Sequence, residues 1–112
     1  MTTDVIISDM QGFYEELGYI LKAKHQGNLL DSDEAYEKYY TAILNDLNSL
    51  ADSVNAYKIN EGEIEDDGYV FAQWLKVQVI TEIEKQRKSI NKKYLKFLDS
   101  TYSYKVTKPK SA

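Results

Sequence analysis

Cysteine is absent from this 112-residue chain, and proline and histidine occur once each, as Pro109 and His25. Without thiols there are no disulfides, no thiolate nucleophile and no cysteine-held zinc or iron–sulfur centre. A single histidine would have to carry any Ser/His/Asp triad or histidine-rich metal site by itself. Its place after Lys22 and Lys24 suits a different task, a cation at the negative end of a helix. Arginine is nearly missing too, since every basic residue except Arg87 is lysine. Bidentate guanidinium clamps on dianionic substrates, and arginine-based reading of nucleic-acid bases, have almost nothing to work with. Lysine over arginine, with abundant tyrosine, asparagine and isoleucine, matches the codon usage of an AT-rich bacterial or phage genome.

Other absences narrow the chemistry further. The five glycines stand at 12, 18, 27, 62 and 68 and never approach GxGxxG or P-loop spacing. No Glu-x-x-His pair exists, which removes the usual di-iron bundle signature. Glu61, Glu63 and Glu65 alternate like the start of a calcium loop, but Asp66 stands where the sharp turn needs glycine, and no glutamate closes the loop. Glu15 and Glu16 are adjacent, so on a helix they diverge by about 100° and cannot converge on one substrate. No cofactor, no metal and no enzymatic activity are expected. No basic stretch precedes an apolar one at the N-terminus, and no run approaches the roughly 20 apolar residues that span a bilayer. A cytoplasmic protein without a membrane partner is the expectation.

What is present is a folding composition. Hydrophobic residues make up 43% and charged residues 29%, outside the disordered regime of low hydrophobicity with high net charge. A chain of this length buries roughly 60–70% of its unfolded surface, enough for one domain. We read residues 1–104 as a single helical domain and 105–112 as a flexible basic tail.

Three periodic segments fill the domain. In the first, from Asp4 or Ser8 to Lys24, Ile6, Met10, Phe13, Leu17 and Ile20 form one helical stripe. Ser8 with Gln11 reads as a capping box, and Gly27 as the stop. In the second, Asp31 with Glu34 reads as the cap, and Tyr36, Tyr40, Ile43, Leu47, Leu50, Val54 and Tyr57 follow at steps of four and three without a miss. A strand cannot use that pattern, because its side chains alternate with period two. The third runs from Tyr69 to Tyr104, with Asp66 or Asp67 as its cap. Its second half keeps a seam at Ile83, Ile90, Tyr94, Phe97, Thr101 and Tyr104, interrupted by Arg87. Its first half, Val70, Phe71, Trp74, Leu75, Val77, Val79 and Ile80, is apolar on more than one side, and Trp74 is expected in the core. The β-branched run from Lys76 to Thr81 leaves a strand as the alternative there.

The fold class predicted is all-α, an antiparallel bundle of three long helices, or of four if the last one breaks near 86–89. At about 1.5 Å per residue the segments would measure roughly 27, 39 and 54 Å. The third would then overhang, leaving Tyr94, Phe97, Tyr102 and Tyr104 as a candidate protein interface, for a partner or for a second copy in a homodimer.

Charge is divided along the chain. Residues 1–68 carry 15 acidic and 4 basic side chains, and residues 69–112 carry 3 and 10, so −11 and +7 sum to the net −4. Lys85, Lys88, Lys92 and Lys96 form one stripe at helical spacing, with Lys93 beside it. They would meet phosphates or an acidic partner, or stand as a solvated face weakly paired with an acidic neighbour. An isoelectric point near 5.0 is far from the basic footprint of most nucleic-acid binders. The acids Asp31, Asp33, Glu34, Glu37, Asp46 and Glu61 to Asp67 offer a mirror surface for a basic protein. The function expected from these observations is a non-enzymatic protein-binding module, such as an adaptor, inhibitor or assembly factor. An accessory nucleic-acid binder using the lysine stripe is the alternative.

Overall fold

The computed structural model describes residues 3–26, 32–63 and 68–103. It contains three long helices, α1 (Thr3–Gln26), α2 (Asp33–Ala56) and α3 (Tyr69–Leu98). A single 3-10 turn, Glu61–Glu63, precedes α3, and a π turn, Asp99–Ser103, continues it. Among the described residues there is no strand, so the strand alternative for 76–81 does not occur. α3 also passes unbroken through 86–89, which leaves three helices and not four.

Contacts fix the order. The Tyr57 hydroxyl donates to the Asp9 carboxylate at 2.6 Å, and the Phe13 and Tyr57 rings meet edge to face, so the start of α1 lies beside the end of α2. Tyr36 and Tyr40, at the start of α2, pack on Phe97 and Tyr94 near the end of α3. α2 is therefore antiparallel to both neighbours. With 24, 24 and 30 residues the helices measure about 36, 36 and 45 Å. α1 is longer than the sequence suggested, whereas α3 and the π turn that continues it together cover residues 69–103 of the expected 69–104.

The expected stripes of α1 and α2 are the core. Ile6, Met10 and Leu17 of α1 meet Ile43, Leu47, Leu50, Ala51 and Val54 of α2, with Phe13, Ile20, Tyr40 and Tyr57 half-buried around them. α3 contributes Ala72, Val79, Ile83 and Ile90 at steps of seven, four and seven. No polar residue is buried among the described residues, so the core rests on apolar burial, about 1.5–3 kcal/mol per large side chain.

α3 starts at Tyr69 as expected, but the start of α1 and the caps differ. α1 begins at Thr3, which brings Ile6 into the core and leaves Ser8 and Gln11 exposed inside the helix. The N-cap of α2 is Ser32, one residue later than Asp31: its backbone is extended and its hydroxyl accepts from the Ala35 amide at 3.1 Å. Glu34 then sits in the first turn and pairs with Lys38 at 3.4 Å, so it cannot close a box. Gly68 caps α3 through its carbonyl, with no side-chain bond. Asp31, Gly27, Asp66, Asp67 and the tail 105–112 lie outside the described residues.

Gly12 and Gly18 stand in the exposed interior of α1, and a methyl group at either would meet nothing within 4 Å. Glycine costs a helix about 1 kcal/mol relative to alanine. Gly12→Ala and Gly18→Ala are each expected to raise the unfolding free energy by about 0.5–1 kcal/mol, read by urea denaturation; a loss at either site would mean that α1 is not continuous there.

Candidate functional site

One continuous row of α3 faces solvent. Val70, Trp74, Val77, Thr81, Lys85, Lys88, Lys92 and Lys96 follow at steps of three and four, and every one is exposed. The first part of the row is apolar. Val70 is 76% exposed, Trp74 54% and Val77 54%, and Phe71 beside them is 46% exposed. The Phe71 and Trp74 rings stack at 5.9 Å with planes 15° apart. This overturns the placing of Trp74 in the core, and with it the idea that the first half of α3 is buried on several sides. Two positions along a helix are about 200° apart. Burying Ala72, at 0% exposure, therefore turns Trp74 outward. With three helices, each has one inner stripe, and no further layer among the described residues covers the other side.

The lysine half of the row lies where the periodicity put it. Lys85, Lys88, Lys92, Lys93 and Lys96 are all exposed, with Lys93 about 100° round from Lys92. Among the described residues none of the five makes an ion pair. Glu34 with Lys38 and Glu84 with Arg87 are ion pairs within single helices. The weak lysine pairing across to an acidic helix, expected from charge alone, is not formed. Leu95, also exposed, interrupts the basic half.

Arg87 and Lys76 do bridge helices, through neutral acceptors. Arg87 donates to the Asn48 side-chain oxygen of α2 at 3.2 Å. It borders a shallow groove of about 240 Å³ with Leu44, Asn48, Lys88 and Asn91. Lys76 donates to the carbonyls of Tyr57 at 2.5 Å and Asn55 at 3.4 Å, and the Gln73 amide donates to the Ile59 carbonyl. A cation thus sits at the negative end of α2. Sequence reasoning missed this contact, and the signal available for it was a lysine set inside an apolar run.

The candidate interface at the far end of α3 has partners within the chain. Phe97 packs on Tyr36 and Tyr40 at ring separations of 5.8 and 5.7 Å, and Tyr94 on Tyr40 at 5.6 Å. Both are half-buried, whereas the sequence left them without neighbours. Tyr102 lies in the π turn; its side chain and all of Tyr104 fall outside the described residues, as does the side chain of His25. Among the described residues no group of three or more His, Asp or Glu side chains could hold a metal ion. Nor is any helix there long and apolar enough to cross a membrane. The chain matches no profile of a known protein family, no curated protein and no solved structure.

Two phenols are perturbed. Burial raises the Tyr57 pKa first, and the hydrogen bond to the Asp9 carboxylate and its charge add to this, taking it from 10.0 to about 12. Burial, followed by the nearby Tyr40, raises that of Tyr39. The folded chain holds the Tyr57 proton after the unfolded chain has released it. The stabilisation it contributes is complete below pH 10 and is lost as pH rises from 10 towards 12. Tyr57→Phe is expected to flatten the fall of the urea midpoint over that interval relative to the wild type; an unchanged slope would remove the Tyr57–Asp9 bond from the account.

Proposed function

We propose that this chain is a non-enzymatic protein-binding module of the cytoplasm, an adaptor, inhibitor or assembly factor, that docks through the outward face of α3. The observation that carries the proposal is the run of exposed apolar side chains Val70, Phe71, Trp74 and Val77. Scattered single apolar residues are ordinary on a protein surface, but a contiguous patch with a central tryptophan has the composition of binding hot spots. Affinity capture from the native host, with the wild type and with Trp74→Glu side by side, tests it. Proteins retained by the wild type and lost with the variant are expected. Identical sets from both would overturn the reading.

The second reading is an accessory nucleic-acid role for Lys85, Lys88, Lys92, Lys93 and Lys96, favoured by their exposure without ion pairs. If these five lysines neutralise phosphates of a single strand, log K should fall with log salt at a slope of about −3 to −4. Failure to bind an oligonucleotide near about 50 mM salt would remove it.

A further inference from the structure

We infer that the outward face of α3 docks an acidic amphipathic helix of a partner protein, one whose apolar residues and carboxylates lie in two separate blocks. This rests on the protein-binding reading above and names the chemistry of the partner. Ala72, Val79, Ile83 and Ile90 face the core, and the exposed row from Val70 to Lys96 lies on the opposite side of the helix. Within the row the two kinds of side chain are segregated. Val70, Trp74 and Val77, with Phe71 beside them, occupy about 10 Å. About 12 Å further on, Lys85, Lys88, Lys92 and Lys96 occupy about 16 Å, with Leu95 beside them.

Neither block is neutralised or interrupted from within the chain. Between 69 and 84 the one basic residue is Lys76, which is half-buried and bonded to the carbonyls of Tyr57 and Asn55, away from the row. The apolar block therefore has no cation to offer. Among the described residues the four lysines of the basic block make no ion pair, and Glu84, which stands beside them, pairs with Arg87 at 3.9 Å. The basic block therefore lacks an acid.

Segregation is what selects a polypeptide. A nucleic acid carries a phosphate with every base, so a strand stacking its bases on Phe71 and Trp74 would bring phosphates to a stretch with no available cation. An anionic bilayer spreads its charge as evenly, over the apolar end of the row as over the basic end. A polypeptide can set an apolar block against the valines and the tryptophan and an acidic block against the lysines, so that each half meets its complement. The whole row spans about 39 Å, the length of a helix of about 26 residues. Four apolar side chains make a small interface, so docking is expected to be weak, with a micromolar dissociation constant, and to loosen as salt is raised.

Fluorescence anisotropy of labelled synthetic helical peptides, titrated with the full chain at low and high salt, tests the inference. Two peptides of about 26 residues carry a leucine block and a glutamate block, one in each order along the peptide, and a third of the same composition intersperses the two residues evenly. One of the blocked peptides should bind at least tenfold more tightly than the interspersed one. Trp74→Glu, with helix content unchanged by circular dichroism, should abolish that binding. Lys85→Glu/Lys88→Glu/Lys92→Glu should weaken it at least tenfold, and a peptide with lysines in place of its glutamates should recover binding to that variant. No binding of either blocked peptide up to about 1 mM chain, equal binding of blocked and interspersed peptides, or affinity untouched by the lysine reversals would each overturn it. So would tighter binding, through Trp74, of oligothymidylate or of phosphatidylserine vesicles, or a wild-type dimer in sedimentation equilibrium that Trp74→Glu dissolves. If the peptides fail yet Trp74→Glu still loses captured proteins, this partner chemistry fails and the protein-binding reading stands; if the peptides fail and no captured protein is lost, both fail.

Discussion

Replacing Leu47 by alanine is expected to lower the unfolding free energy by about 2–5 kcal/mol, whereas Trp74→Ala should change it by only about 0.5–1 kcal/mol. Leu47 is fully buried on α2, between Ile43 and Leu50 and against the stripes of both neighbouring helices. Its removal loses the transfer free energy of the side chain and leaves a cavity that three helices cannot fully close. Trp74 is the larger side chain, but it is 54% exposed, and among the described residues Phe71 is the one ring that touches it. Against a total stability of about 5–15 kcal/mol, the first change is severe and the second small. Urea denaturation of the two variants checks the contrast, and the reverse order of costs would mean that α3 is rotated from the orientation described.

Tyr40→Ala should be nearly as damaging, at about 2–4 kcal/mol, because it removes a half-buried ring with four aromatic neighbours. Tyr40 meets Tyr36, Tyr39, Tyr94 and Phe97 at 6.5, 5.2, 5.6 and 5.7 Å. These rings join the start of α2 to the end of α3. A double-mutant cycle with Phe97→Leu is expected to show a coupling of about 0.5–1.5 kcal/mol. Strict additivity would mean that the two rings do not share a packed cluster in solution. Hydrogen exchange should quicken first in the opening turns of α2 and the closing turns of α3, the elements that these rings hold together.

The seam of α2 was legible because Tyr36 to Tyr57 admits only one stripe, with Asn45, Asn48, Asp52 and Asn55 on the other side. The first half of α3 was not, because apolar residues lie on both sides of the helix and periodicity cannot choose between them. Ala72 settles the choice: its small side chain lies in the core at no exposure, and tryptophan two positions on is carried outward. Size preference alone had pointed the other way, placing the bulkiest residue inside. The cap of α2 was off by one because Asp31 and Ser32 are both good capping residue types, and it is the bond from the Ala35 amide to the Ser32 hydroxyl that marks Ser32 as the cap. The candidate lysines were readable as a stripe from their spacing. That the apolar half of the same row continues it could not be seen while Trp74 was assigned to the core. Contacts such as Lys76 with the Tyr57 carbonyl join residues 19 apart and leave no local pattern to read.

Trp74 is the only tryptophan, so its fluorescence reports on the outward face of α3 without labels. Acrylamide quenching of the dilute, folded chain is the measurement that most directly tests whether this face is uncovered within a single copy. Emission close to that of indole in water, quenched nearly as readily as in the urea-unfolded chain, is the result expected. A blue-shifted emission that resists quenching at high dilution would place Trp74 in the core and contradict the account.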